Sequence, residues 1–225
     1  MNETRWHTLA DAQAVAEAVA RSIAAQARSA IENNGAFKIV LAGGTTPGKV
    51  YERLAEFQTD WSCWHIYFGD ERCLPADHPD RNSVMASRTW LERVHIPADH
   101  IHPIPAELGP VEAATAYEQT VARALPFDLV LLGMGEDGHT ASLFPGQQHV
   151  SSQLVHPIFD APKPPPQRVS LGLGALNDSH SVIILITGAA KRQAIQQWQS
   201  GVNLPIAAIH GLNGCDIYMD AAARP

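Results

Sequence analysis

The stretch Phe127 to Gly146 reads FDLVLLGMGEDGHTASLFPG, and its reading decides the fold class. Leu129, Val130, Leu131 and Leu132 form an unbroken apolar run, the pattern of a strand buried on both faces. Gly133 and Gly135 end the run, and Glu136, Asp137 and His139 follow at once. A buried strand closing on glycines and polar side chains is the layout of a site at the carboxyl edge of a parallel sheet. A lone turn histidine needs no chemistry, but an imidazole two residues from a carboxylate, with glycines alongside, points to proton transfer.

Two phosphate-binding spellings fail in context. Gly133, Gly135 and Gly138 match G-x-G-x-x-G, but a dinucleotide fold needs a full helix next and an acid about 20 residues on. Pro145, Gly146 and a polar run follow instead. Gly43, Gly48 and Lys49 match the P-loop up to its last position, where Val50 replaces the hydroxyl that holds magnesium, and Pro47 removes a backbone donor. What survives is Gly43, Gly44, Thr45 and Thr46 ahead of a helix, which is either a plain tight turn or a cradle for a single phosphate.

Outward from these turns, strand and helix alternate. Apolar spacing predicts one long helix over Thr8 to Asn34, stopped by Gly35, then a strand Phe37 to Ala42 and a helix Lys49 to Phe57. A strand Trp64 to Phe68 runs into Gly69-Asp70-Glu71-Arg72, whose charges are costly to bury and so are expected to be solvated or functional. Helical character is read over Asn82 to Val94 and Pro110 to Leu125, with a short strand at Ile101 to Ile104. After the opening stretch come an extended segment Leu154 to Phe159 and a rigid loop Ala161 to Gln167. Arg168 opens a short strand and a small helix, and Ser181 to Ile186 is a buried strand. A helix Ala189 to Ser200 carries Lys191 in its first turn, where a cation opposes the helix dipole unless an anion is present. A loop and short helix around Leu204 to Ile209 and a last strand Cys215 to Met219 close the chain. The alternation predicts a mostly parallel sheet with helices on both faces, its strand ends converging on one edge.

Composition bounds the function classes. A chain of 225 residues fits one domain, 1–225, and 45% hydrophobic with 17% charged residues is ordinary for a soluble protein. No apolar run reaches the roughly 18 residues a membrane span needs, and MNETRWHTLADAQ lacks the build of a signal peptide, so a cytoplasmic protein without membrane contact is expected. Cys63, Cys73 and Cys215 suit neither a disulfide framework nor a zinc knuckle, and the eleven histidines show no ligand spacing, so no metal is expected. A net charge of -7 argues against nucleic acid.

LAGGTTP (Leu41 to Pro47), YFGDER (Tyr67 to Arg72), LLGMGEDGHTASLFPG (Leu131 to Gly146), RVSL (Arg168 to Leu171) and TGAAK (Thr187 to Lys191) stand in that order along the chain. Together they resemble the signature blocks of the 6-phosphogluconolactonases, a family grouped with glucosamine-6-phosphate isomerase/deaminase and ribose-5-phosphate isomerase. The resemblance covers nearly the whole chain. It implies a Rossmann-like three-layer α/β/α sandwich and hydrolysis of 6-phospho-D-glucono-1,5-lactone to 6-phosphogluconate in the oxidative pentose phosphate pathway. It also implies no cofactor, and a small sugar-phosphate lactone as the partner of a monomer or weak homo-oligomer. Gly43, Gly44, Thr45 and Thr46, with Arg168 and Lys191, would bind the phosphate, and Asp70 falls in the substrate-binding set. His139 would be the general base, with Asp137 beside it and Arg72 near the lactone.

The chemistry agrees with those roles. Water attack on an ester carbonyl needs a base unprotonated near neutrality, which imidazole at about 6.5 supplies. The tetrahedral oxyanion needs donors, either Arg72 or glycine-turn N–H groups, and Asp137 would set the imidazole tautomer. For Asp70 and Glu71, an ion pair supporting Arg72 and direct catalysis both stay open. The amino-sugar deaminase alternative expects a glutamate where this chain has Phe144, and an aromatic residue where it has Arg72. A sugar-phosphate sensor would carry a helix-turn-helix, and the leading helix shows no basic recognition segment.

Overall fold

The computed structural model describes residues 3–147 and 153–225, so part of the polar run after Gly146 lies outside the described residues. In chain order the elements are β1 (Thr4–Leu9), α1 (Ala12–Asn34), β2 (Phe37–Leu41), α2 (Thr45–Leu54), β3 (Trp64–Phe68), β4 (Asp70–Arg72), α3 (Asn82–Thr89) and α4 (Pro110–Ala124). They continue with β5 (Phe127–Gly133), β6 (Val155–Ile158), β7 (Arg168–Leu171), α5 (Leu173–Asn177), β8 (Ser179–Ile186), α6 (Arg192–Gln199) and β9 (Cys215–Asp220).

Six strands make an all-parallel sheet in the order β1-β9-β8-β5-β2-β3, with helices packed against it. β5 lies inside this sheet, and Leu129, Val130 and Leu131 are fully buried, which is why that run shows no polar alternation. From β2 the chain first steps outward to β3 and later returns to β5 on the other side of β2. Strand order therefore reverses between β2 and β5, and in open α/β sheets the crevice at such a point receives ligands.

α1 turns Val15, Val19, Ile23 and Ala27 onto the core, each buried apolar side chain larger than alanine contributing about 1.5–3 kcal/mol. Asp11 caps the helix, its Oδ1 accepting the Ala14 N–H at 2.8 Å, and Gly35 at φ 78° ends it. The single helix expected from Thr8 is thus corrected. Residues 4–9 pair in parallel with β9 as an edge strand, and only the capped segment after Asp11 is helical. α2 likewise begins at Thr45, not at Lys49, so the glycine turn leads straight into its first turn. The strand expected at Ile101 to Ile104 reduces to one bridge, Ile66 with Ile101, as Pro103 and Pro105 offer no donors.

A second sheet, antiparallel and ordered β4-β7-β6, was not anticipated. It forms because Asp70 to Arg72 pairs with Arg168 to Ser170, which draws the charged end of β3 onto a neighbour instead of into solvent. Asp70 and Glu71 are consequently buried. No helix among the described residues is long and apolar enough to cross a membrane.

Candidate active site

At the β2/β5 crevice lies a cleft of about 420 Å³, a volume suited to a small ligand. Gly43, Gly44, Thr45, Thr46, Asp70, Arg72, His139, Arg168 and Lys191 all line it, and Asp137 stands behind His139. A second cavity of about 440 Å³ beside α3, with Leu91, Ile101 and Ile104 in its wall, receives none of these residues.

The loop after β5 is shaped to hold one imidazole. Gly138 turns it at φ 80°, and the Gly135 N–H donates to the His139 carbonyl at 2.8 Å. Asp137 Oδ1 accepts both the His139 backbone N–H at 3.1 Å and the ring Nδ1–H at 2.5 Å. Burial pushes the Asp137 carboxyl up, but the His139 backbone N–H and imidazole outweigh it and hold the group below the usual carboxylate range. An ionised carboxylate only accepts, so it fixes the proton on Nδ1 and leaves Nε2 as the basic nitrogen. Burial lowers the His139 pKa below the ordinary histidine value, Asp137 opposes that, and Lys163 adds to it. The imidazole is therefore neutral at pH 7. Phe144 packs on the ring at a centroid distance of 4.7 Å.

On the β2 side, Tyr51 lies wholly buried, accepting the Ala42 N–H at 3.0 Å and donating to the Ala42 carbonyl at 2.7 Å. This fixes the entry to the glycine turn. Gly43 has no room for a side chain, since a Cβ would lie 1.9 Å from Asn82 Oδ1. Gly44 is the N-cap of α2 and no side chain caps that end, which leaves the first N–H groups of the helix, those of Thr45 and Thr46, uncapped at the cleft wall. Thr46 Oγ1 lies 2.7 Å from Thr187 Oγ1, and Lys191 ends the 3-10 turn Ala189–Lys191 that runs directly into α6, so it stands in the opening turn of this helical segment, as expected. Burial lowers the Lys191 pKa, with Lys163 adding to the effect against Glu136 and Asp137.

The carboxylates after β3 are structural joints. Asp70 accepts from Asn82 Nδ2 at 2.9 Å and from the Ser142 hydroxyl at 2.6 Å, tying β4 to α3 and to the His139 loop. Glu71 accepts the N–H groups of Arg72, Asn82 and Ser83 at 2.9, 2.7 and 2.8 Å. Its ion-pair partner is Arg81, at 3.5 Å from Nε and without a hydrogen bond, so of the two roles left open for Glu71 an ion pair is present, but with Arg81 and not with Arg72. Arg72 itself donates from Nη1 to the Asp80 carbonyl, while its buried Nε–H finds no protein partner. Arg168 is buried under Ser142 and over Phe144, its guanidinium 5.7 Å from the ring centroid. Its Nε and Nη2 donate to the carbonyls of Pro165 and Lys163 at 3.0 and 2.7 Å, so the edge that would grip an anion bidentately is already taken. Sequence reasoning missed Tyr51, Asn82, Ser142 and Lys163. Lys163 alone left a signal, as a single cation in a proline run next to Arg168.

The cations Arg72, Lys163, Arg168 and Lys191 and the single carboxylate Asp70 make the wall cationic in a chain of net charge -7, which suits an anionic ligand. Residues 10–217 match the family model for glucosamine-6-phosphate isomerases/6-phosphogluconolactonase. The chain belongs to that family. Among its relatives is a 6-phosphogluconolactonase of Nostoc, 41% identical over 75% of this chain and 74% of that protein. Another is the 6-phosphogluconolactonase of Mycobacterium leprae, 35% identical over 90% of each. The crystal structure of the Thermotoga maritima 6-phosphogluconolactonase superposes with a TM-score of 0.90 at 31% identity, covering 97% of this chain and 100% of that one. The family's α/β fold, with a mostly parallel sheet, is the fold observed here.

Proposed function

We propose that this protein hydrolyses 6-phospho-D-glucono-1,5-lactone to 6-phosphogluconate, the second step of the oxidative pentose phosphate pathway. The observation that carries the reading is an imidazole held at Nδ1 by Asp137 and facing a cationic cleft at the sheet's switch point, with burial holding its pKa below the ordinary histidine value. The lactonase names of the relatives support it. The Thr45 and Thr46 N–H groups, with Gly43 and Gly44 and the Lys191 ammonium, receive the phosphate and orient the sugar. His139 Nε2 removes a proton from water as the hydroxyl adds to the lactone carbonyl carbon. The oxyanion collapses, the ring C–O bond breaks, and the imidazolium returns its proton to the departing ring oxygen. The new carboxylic acid then ionises. Arg72, which lines the same cleft, is a cation for the lactone end.

The test is His139→Ala, assayed on freshly made lactone with spontaneous opening subtracted. Turnover should fall to within a few-fold of background while inorganic phosphate still binds. Wild-type turnover in the variant would remove His139 from the chemistry. Glucosamine 6-phosphate is run alongside, and ammonia release would overturn the choice of reaction.

A further inference from the structure

Lys163 is an exposed lysine whose backbone is anchored by a buried arginine. Burying a guanidinium is costly unless its donors are used, and Arg168 directs its Nε and Nη2 to the carbonyls of the segment 161–167. The Ala161 N–H closes that segment on the Pro166 carbonyl at 3.1 Å, and Lys163 with Pro164 forms part of the cleft wall. We propose that Lys163 meets the negative charge that develops on the reacting carbonyl oxygen, and that Arg168 is a positioning residue that fixes the Lys163 backbone. The proposal rests on the lactonase reading above.

The four cations of the cleft divide by place. Lys191 stands near Thr187, which contacts Thr46, so it belongs with the glycine turn and the phosphate. Arg168 is engaged with the 161–167 carbonyls, and Arg72 is tethered to Asp80 with its charge acting on Arg168. The cation whose charge reaches the His139 imidazole is Lys163, and the same charge reaches Lys191. Lys163 shares the cleft wall with His139 and Lys191, and with Arg168 and Arg72 held by backbone carbonyls it is the cation left for the reacting end of the ligand. When hydroxyl adds, the carbonyl π electrons move onto oxygen, and the ammonium pairs with that oxyanion. After the ring C–O bond breaks it pairs with the product carboxylate. An ammonium on a flexible stem, held at its backbone, can follow the charge through both states.

The test compares Lys163→Ala, Lys163→Gln and Lys163→Arg in the full chain; the side chain is exposed, so unchanged thermal unfolding is expected. For Ala and Gln, kcat should fall about 10–100-fold, less than the loss of a fully enclosed oxyanion donor. Inhibition by 6-phosphogluconate should weaken, inhibition by inorganic phosphate should not change, and Arg should restore most of the rate. The acid limb of kcat/KM should move to higher pH, because removing the cation relieves its depression of His139. Wild-type kcat in Lys163→Ala, or a loss confined to KM with weakened inorganic phosphate binding, would overturn the assignment. No rescue by Arg would do so as well. A wild-type protein that opened the lactone no faster than water would sink the lactonase reading itself, and this inference with it.

Discussion

Replacing Asp137 with Asn isolates what the carboxylate does for His139. The amide keeps an oxygen for the backbone N–H at 3.1 Å and for Nδ1–H at 2.5 Å, so size and turn geometry are retained. What is lost is the negative charge behind the imidazolium that forms during the reaction. A hydrogen bond to a charged partner contributes about 1.5–3 kcal/mol. The Asp137 side chain is 42% exposed, so water screens it, and about 1–1.5 kcal/mol is the appropriate share, or roughly 10-fold in kcat/KM. In triads with an enclosed carboxylate the same change costs about 10⁴-fold, which sets the upper bound. The pH profile gives the sharper readout. Burial and Lys163 lower the His139 pKa and Asp137 raises it; with Asp137 neutralised, only the smaller influence of Asp70 still opposes the depression. The acid limb of kcat/KM, already below the ordinary histidine value, should move to still lower pH while the plateau falls. Rates on fresh lactone between pH 5 and 8, with spontaneous opening subtracted, measure both. An unchanged plateau, or an acid limb moving upward, would refute the argument that Asp137 orients and charges the base.

Gly135→Ala would set a Cβ 2.0 Å from His139 Nδ1 and 2.6 Å from Asp137 Oδ1, so activity should drop at least as far as in Asp137→Asn with the fold intact; a fully active variant would show that the ring does not need its present seat. Glu71→Gln leaves the Arg81 guanidinium, which is 2% exposed, with the half-exposed Glu107 at 2.7 Å as its carboxylate partner beside the Ile104 carbonyl at 2.6 Å, and should destabilise the protein by about 3 kcal/mol, the low end for a broken buried pair. Urea unfolding measures it, and a loss under about 1 kcal/mol would refute the claim that the buried Glu71 charge supports the fold.

The parallel sheet and the edge that carries the cleft were legible because two physical signals are local. Leu129 to Leu132 spell a strand covered on both faces, and the glycines after β2 and β5 mark where the backbone must turn sharply. Local signals also misled. The Thr8 to Asn34 stretch joins an edge strand to a helix, and the boundary is set by Asp11 and by pairing with β9, a partner some 200 residues away whose register no window can display. The buried ends of β4 were hidden for the same reason. Asp70 and Glu71 look like surface charges until Asn82, Ser142 and Arg81 are brought to them by the small antiparallel sheet. The use of Arg168 was hidden too, because a residue type suited to phosphate is equally suited to two carbonyls of the segment just before it.

Phe144 shows how a residue without chemistry can choose between two chemistries. It is buried, with one neighbour the imidazole and another the Arg168 guanidinium, and it forms a small apolar cluster with Ile158 and Ala161. The deaminase pattern has a glutamate at this place. A carboxylate there would stand against the imidazole ring, raise its pKa alongside Asp137, and favour the protonated form. It would also offer Arg168 a salt bridge and draw it from the carbonyls of Lys163 and Pro165. Phenylalanine does the reverse on both counts. It covers one side of His139, adding to the burial that depresses the pKa and so suiting the ring to the proposed role of base, and it gives Arg168 only a π face, so the donors stay on the backbone that carries Lys163. A neutral base and a fixed cation beside it are what the proposed ester hydrolysis requires, and His139 and the Arg168 that anchors Lys163 both rest on the same aromatic ring.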